Sequence, residues 1–263
     1  MNFSLAVFLG ALQGITEFFP ISSSGHLLLA EHFFSLPVEN FKAFDVVLHA
    51  GTLLALLVLF WREWFIILRG FFVKTEHDGR RLFLQLVIAT LPAAFVGFFF
   101  GDVIDKITRG ENRVFIMAGL FAMVALALLA AEKFGRKKTE EISWQNVIKM
   151  GLAQSIALLP GVSRSGVTIV AGMLGGATRS AAAKFSFLML APATAGAIIL
   201  IFAKVFAGEL ILPAFEFVAV GFIISAIVSY IAASIFLGFV RRHSLVVFAI
   251  YLLLASASLV FLT

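Results

Sequence analysis

Cysteine is absent from the 263 residues, which excludes disulfides, thiolate metal sites and cysteine nucleophiles. Charge is scarce as well, with Asp, Glu, Lys and Arg at 13% of the chain against about 25% in an ordinary soluble domain. No Walker A loop, HExxH, GxSxG or dinucleotide fingerprint occurs, so those enzyme classes have no footing. The first basic residue is Lys42, so the positive leading region of a secretory signal peptide is missing, and the N-terminus is expected to be retained. What fills the space is apolar: 61% of residues are hydrophobic and the mean hydropathy is +1.06. One soluble core cannot absorb that much apolar surface, and disordered chains have the opposite composition. The chain is an integral membrane protein.

Six apolar stretches read as spanning helices, at roughly 44–61, 83–100, 114–131, 185–203, 215–238 and 245–262, each long enough to cross a ~30 Å hydrocarbon layer. Residues 3–30 and 147–178 differ. They are apolar overall but broken by polar, glycine-containing centres, Ile-Ser-Ser-Ser-Gly-His at 21–26 and Pro-Gly-Val-Ser-Arg-Ser-Gly at 160–166. A backbone irregular at such a point cannot face lipid, because unpaired amides in hydrocarbon cost several kcal/mol. Both centres are therefore expected to line a protein cavity.

Loop charge sets orientation, since cytoplasmic loops concentrate Lys and Arg. Residues 61–82 hold Arg62, Arg69, Lys74, Arg80 and Arg81, and residues 132–149 hold Lys133, Arg136, Lys137, Lys138 and Lys149. Both loops are placed inside. Such clusters beside apolar runs are topology signals rather than nucleic-acid patches, so no nucleic-acid partner is expected. The 101–113 loop, where Asp102, Asp105 and Glu111 balance three basic residues, and the 204–214 loop with Lys204 alone are placed outside; the Arg241–Arg242 turn is placed inside. Parity then requires residues 150–182 to enter and leave by the inner face and residues 1–30 to dip in from the outer one. The expected fold is an all-α polytopic membrane protein, one domain over 1–263, with about six transmembrane helices and two re-entrant helical hairpins.

Self-comparison agrees. At an offset of 141, Gly10, Gln13, Ile15, Ser22, Ser24 and Gly25 meet Gly151, Gln154, Ile156, Ser163, Ser165 and Gly166, and Phe44 and Ala50 meet Phe185 and Ala191. With opposite orientations, this is an inverted-topology repeat with halves at about 1–131 and 147–263 and a site near the midplane.

Several residues in the broken centres are of types that carry chemistry. Glu17 lies in an apolar context, where a carboxylate needs a cation or a partner. Gln13 lies one helical turn earlier on the same face, and together they offer two oxygens suited to Mg²⁺ or Ca²⁺; the plainer reading is a Gln–Glu pair tying helices together. After Pro20, the hydroxyls of Ser22, Ser23 and Ser24 and the backbone at Gly25 suit an anion at a helix start, although one serine suffices as a cap. His26 is a candidate proton-transfer group or donor to an oxyanion. Arg164 lies fifteen residues from both Lys149 and Arg179, too deep to snorkel. Ser163, Ser165, Thr168, Gly161 and Gly166 surround it, and such a setting forms a phosphate or pyrophosphate receptor unless Arg164 serves only as a folding partner of Glu17. Asp45 and His49 are read as holding a helix end, Arg179 and Lys184 as interface markers, and Trp61, Trp64 and Trp144 as an aromatic belt.

Gln-Gly-Ile-Thr-Glu-Phe-Phe-Pro-Ile-Ser-Ser-Ser-Gly-His at 13–26 resembles the (E/Q)xxxE motif, and Pro-Gly-Val-Ser-Arg-Ser-Gly-Val-Thr at 160–168 the PGxSRSxxT motif, of the bacterial undecaprenyl-pyrophosphate phosphatase, or bacitracin-resistance, family. The segments at 44–52 and 185–193 extend the resemblance over nearly the whole chain. It implies hydrolysis of the C55 isoprenoid pyrophosphate to undecaprenyl phosphate plus inorganic phosphate, recycling the carrier for cell-wall synthesis, with a divalent cation, at the outer (periplasmic) side of the bacterial plasma (inner) membrane. By the same resemblance Glu17, with Gln13 at the variable first position, binds metal or activates the attacking group. Ser23 is nucleophile or phosphate ligand, His26 transfers protons, and Arg164 with Ser163, Ser165 and Thr168 grips the pyrophosphate. Gln13 replaces a possible second acid, which favours Mg²⁺ or Ca²⁺ arriving with the substrate over a closed protein cage. Ser22, Ser24, Gly161 and Gly166 complete the expected binding surface. The rival expectation is a secondary transporter or lipid flippase with a midplane anion site, since inverted repeats with broken helices also build transporters. A purely structural membrane subunit leaves Glu17 and Arg164 without purpose.

The loop charges predict that both termini lie outside and residues 74–80 and 136–140 inside. Single cysteines introduced into this cysteine-free chain and labelled from each side test this, and residues 2 and 263 labelling on opposite faces would break the parity.

Overall fold

The computed structural model describes residues 1–34, 36, 38–73, 77–109, 113–135 and 139–262. Lys74, Glu111 and Arg136 to Lys138, on which the loop-charge reading partly rests, lie outside them, as does residue 263. Among the described residues eleven helices follow one another: α1 Phe3–Phe18, α2 Ser23–Phe33, α3 Val38–Leu59, α4 Trp61–Phe72, α5 His77–Arg109, α6 Arg113–Phe134, α7 Trp144–Ile156, α8 Arg164–Leu174, α9 Arg179–Phe206, α10 Phe215–Val240 and α11 Val246–Leu262. Among the described residues there is no strand, only an isolated Thr139–Ala177 bridge. The all-α expectation is met.

Among the described residues five helices, α3, α5, α6, α9 and α10, are long and apolar enough to cross a membrane by length and composition. About six were expected; the remaining one, α11, has 17 residues, about 26 Å of helix at 1.5 Å per residue, the short end of the spanning range. Helix α4 occupies what the sequence reading treated as a loop. Its Trp61, Phe65, Leu68 and Phe72 are exposed while Ile67 and Gly70 are buried, which is the one-sided pattern of an interfacial helix. Arg80 fastens it to the start of α5 by donating to Gly70 O at 2.5 Å.

Ion pairs gather at the end where α4, α5, α7 and α9 begin and α6 ends. Arg179 donates Nε to Glu132 Oε1 at 2.7 Å and Nη2 to Oε2 at 2.5 Å, and Glu132 Oε1 also accepts the Leu245 amide at 2.8 Å. Lys184 pairs with Glu63 at 2.6 Å and Arg81 with Glu141 at 2.7 Å.

Two short hairpins, α1–α2 and α7–α8, sit within this frame. The Thr139 amide donates to Gly176 O at 3.0 Å and the Thr178 amide to Thr139 O at 2.9 Å, so the second hairpin starts and finishes at the same end. In the first, Phe8 of α1 meets Phe34 just beyond α2, ring centroids 5.5 Å apart. Helix α1 packs on α10 and α7 packs on α5; α10 also packs on α3 and α5 on α9, while α6 meets α11 and α3 meets α9. The closest approaches come at small residues. A Cβ on Gly10 would stand 2.9 Å from Gly221 O of α10, and one on Gly151 2.8 Å from Ala89 O of α5.

Candidate functional site

The tips of the two hairpins are built alike. In the first, Ser22 caps α2, its Oγ accepting the Gly25 amide at 3.2 Å. In the second, Ser163 caps α8, its Oγ accepting the Gly166 amide at 3.1 Å. Each cap satisfies an amide that a helix start leaves orphaned. Gly161 turns the chain into the second cap at φ +105°, and Ser22 makes its turn at φ +73°, the one positive-φ non-glycine among the described residues. A serine held there carries strain that its surroundings must sustain. The turns leave Ser23 and Arg164 as the first residues of α2 and α8.

Both side chains reach Glu17, which is 6% exposed. Arg164 donates Nη2 to Glu17 Oε1 at 3.0 Å and Nη1 to Ser186 O at 3.2 Å. The Ser23 hydroxyl donates to Glu17 Oε2, which also accepts Gln13 Nε2 at 3.1 Å. The same amide nitrogen lies 2.9 Å from His49 Nδ1, and His49 Nδ1 is 3.7 Å from Glu17 Oε2. Ser165 Oγ lies 3.3 Å from Glu17 O and from Phe19 O, joining the tips through the backbone. A carboxylate and a guanidinium so deprived of water persist only because each supplies the other's charge and hydrogen bonds.

This cluster opens on a cavity of about 250 Å³. Glu17, Ser23, Ser24, His49, Ser163 and Arg164 form its polar wall; Val46, Leu158, Leu190, Ala197 and Ile198 stand on the apolar side. A chamber that places a cation and hydroxyls beside an apolar surface suits an amphipathic anion. A hydroxyl hydrogen-bonded to a buried carboxylate is the arrangement of a nucleophile beside its base.

Not every expected residue faces the cavity. Thr168 is fully buried and spends its hydroxyl on Arg164 O and Ser186 Oγ, both at 2.7 Å; it and Ser165 brace the site instead of lining it. Gly166 acts through its amide on the Ser163 cap. His26 is absent from the lining. Its Nδ1 donates to Ser22 O and its Nε2 accepts from Tyr251 OH, both at 2.7 Å, and the ring stacks against Phe121 and Tyr251. Ser23 consequently bonds to Glu17 and not to His26. Conversely His49, expected to hold a helix end, lies in the wall. Its distance from Glu17 in sequence carried no hint of this, which follows from the packing of α3 on α1.

Among the described residues no three His, Asp or Glu side chains gather as metal ligands. Gln13 Oε1, however, is buried without a hydrogen-bond partner. Gln13 is not among the residues that line the cavity, and it turns its Nε2 rather than this oxygen toward Glu17.

A model of the family described as bacitracin resistance protein BacA matches residues 6–258. An undecaprenyl-diphosphatase of Rubrobacter xylanophilus is 43% identical over 256 residues, covering 94% of this chain and 93% of that protein. The undecaprenyl-diphosphatases of Thermodesulfovibrio yellowstonii and Caldicellulosiruptor bescii are 39% and 37% identical, each covering 94% of this chain and 91% and 92% of their own lengths.

The ion pair makes a prediction about folding. Glu17→Ala leaves the Arg164 charge buried and unmatched, a loss of about 3–5 kcal/mol, and adding Arg164→Met recovers much of it. Thermal unfolding in detergent reads both, and an unchanged melting temperature in the single variant would deny the pair any part in the fold.

Proposed function

We propose, because the chain belongs to the bacitracin resistance protein BacA family, that it is an undecaprenyl-diphosphatase, hydrolysing undecaprenyl pyrophosphate to undecaprenyl phosphate and inorganic phosphate. The reaction recycles the lipid carrier of cell-wall synthesis and underlies bacitracin resistance. The relatives named above are called diphosphatases, and nothing among them supports a transporter or flippase. The observation that carries the chemistry is the Ser23 hydroxyl donating to a Glu17 that is ion-paired with Arg164.

In the reading this supports, the pyrophosphate head enters the polar wall and the isoprenoid lies along the apolar one. Ser23 Oγ attacks the terminal phosphorus as Glu17 accepts its proton, and the bond to the bridging oxygen breaks, releasing undecaprenyl phosphate. Glu17 hands that proton to the departing undecaprenyl phosphate; water then attacks the phosphoserine, its proton passing to Glu17, and as the bond between phosphorus and Ser23 Oγ breaks inorganic phosphate leaves and the proton returns to Ser23 Oγ. Arg164 and the amides at the starts of α2 and α8 stabilise the charge spread over the equatorial oxygens, which dominates phosphoryl transfer. Gln13 and Glu17 would hold Mg²⁺ or Ca²⁺ on the pyrophosphate; when bound, the cation neutralises part of that charge. His26, tied to Ser22 and Tyr251, secures the 21–26 turn that aims Ser23.

The inverted repeat belongs to this proposal. Its support is the exchange by which α1 packs on α10 and α7 on α5, together with the matched caps. The second hairpin's joined ends support its being re-entrant. The protein is then a multi-pass component of the bacterial plasma membrane whose cavity opens to the outer, periplasmic side.

Phosphate release from undecaprenyl pyrophosphate by the purified protein in detergent tests the activity without compartments that transport would need; no release refutes it. Arg164→Lys is expected to lose roughly 10²-fold or more in turnover while folding normally, since lysine keeps the charge but cannot span two oxygens. Near-normal turnover would remove Arg164 from the mechanism. Ser23→Ala is expected to abolish turnover as fully as Glu17→Ala, with a phosphoserine trapped by rapid quench in the unmodified enzyme. A Ser23→Ala enzyme keeping a tenth to a hundredth of normal turnover, about the worth of one hydrogen bond to a charged group, would mean direct attack by water.

A further inference from the structure

His49 stands in the cavity wall without a part in the mechanism above, and its two ring nitrogens are in unlike situations. Nδ1 faces Gln13 Nε2 at 2.9 Å. That amide nitrogen also faces Glu17 Oε2 at 3.1 Å, and a carboxylate oxygen accepts, so the atom between the two is the NH₂ group and each of its hydrogens has a place. Nδ1 must then be the acceptor, and the neutral ring carries its hydrogen on Nε2. Nε2 makes no hydrogen bond among the described residues. The side chain keeps 28% of its surface open and lines the cavity alongside Ser23 and Arg164. Glu17 and Gln13 thus hold the ring in one tautomer, with its N–H uncommitted among the described residues.

We infer that His49 is a substrate-contact residue whose Nε2–H donates to a phosphoryl oxygen of the bound pyrophosphate. The inference rests on the proposed activity for the identity of the ligand and adds a donor from α3 to those of α2 and α8. An uncharged donor suits this position. It binds an oxygen of the anion without competing with Arg164 for the Glu17 carboxylate.

The test reads binding apart from turnover. Titration calorimetry of the purified protein in detergent with inorganic pyrophosphate and Mg²⁺ compares the unmodified chain with His49→Phe, which keeps a planar ring without nitrogen, and His49→Gln, whose amide accepts from Gln13 and still offers an N–H. The expected result is a 10- to 100-fold weaker affinity in His49→Phe, the range for a lost hydrogen bond to a charged group, with recovery to within about 3-fold in His49→Gln. Unchanged affinity in His49→Phe, or no recovery in His49→Gln, overturns the inference. Should His49→Phe fail to fold, ¹⁵N-histidine spectra of the unmodified protein decide the matter. The His49 Nε2 signal is expected to be protonated and to move on addition of pyrophosphate, and a ring protonated on Nδ1, or an Nε2 signal that stays put, refutes the assignment. Failure of phosphate release from the lipid with these results intact would refute the activity and leave the pyrophosphate contact standing.

Discussion

A carboxylate buried in an apolar chain must be matched where it stands, and Glu17 is matched by groups from four helices. Gln13 approaches from its own helix, Ser23 from α2, Arg164 from α8, and His49 of α3 stands behind Gln13. None of these contacts is local except the Gln13 step of one helical turn. The carboxylate therefore fixes how the two hairpin tips meet, and the tips in turn close the cavity. Arg164 is held on its other side by Ser186 O, so α9 is drawn into the same arrangement.

The offset of 141 shows what differs between the halves within a shared frame. Ser22 and Ser163 cap in the same way. Gly10 and Gly151 make the same kind of close approach. Ser23 and Arg164, however, are equivalent positions with different chemistry, and both reach Glu17. The residues equivalent to Glu17 and His49 are Leu158 and Leu190, and all four line the cavity. At these two pairs of positions a common backbone thus presents acid and imidazole from one half and two leucines from the other.

The apolar runs, the two broken centres and the Glu17–Arg164 alternatives were legible in the sequence because burial in lipid constrains them severely. A charge or an irregular backbone in such surroundings has few permitted explanations. Helix α4 was not legible because Arg62 and Arg69 were counted as loop charge, although Trp61, Phe65, Leu68 and Phe72 recur at helical spacing on its exposed face. That Ser165 and Thr168 lie outside the cavity lining has a related reason. A motif places hydroxyls near an arginine, but only the direction of α8 decides which of them face the cavity and which face Glu17 O and Ser186. His49 is not legible as a cavity residue because an imidazole four residues from Asp45 has a local explanation, whereas its contact with Gln13 spans 36 positions.

Charge balance in this geometry is the argument for the proposed divalent cation. Glu17 and Arg164 neutralise each other, so the resting site offers no net positive charge, while a pyrophosphate brings at least two negative ones. Arg164 has five N–H donors. One goes to Glu17 and one to Ser186 O, and three are left for phosphoryl oxygens without breaking the ion pair. Those donors, with the helix starts at Ser23 and Arg164, supply directed hydrogen bonds and partial charge but not the two full charges the ligand lacks. On the proposal that a divalent cation accompanies the pyrophosphate, Glu17 is the carboxylate of the cavity lining that it would meet. Affinity for the lipid should then follow the divalent cation even where the metal alone binds weakly, because each supplies the partner that the other needs inside the membrane.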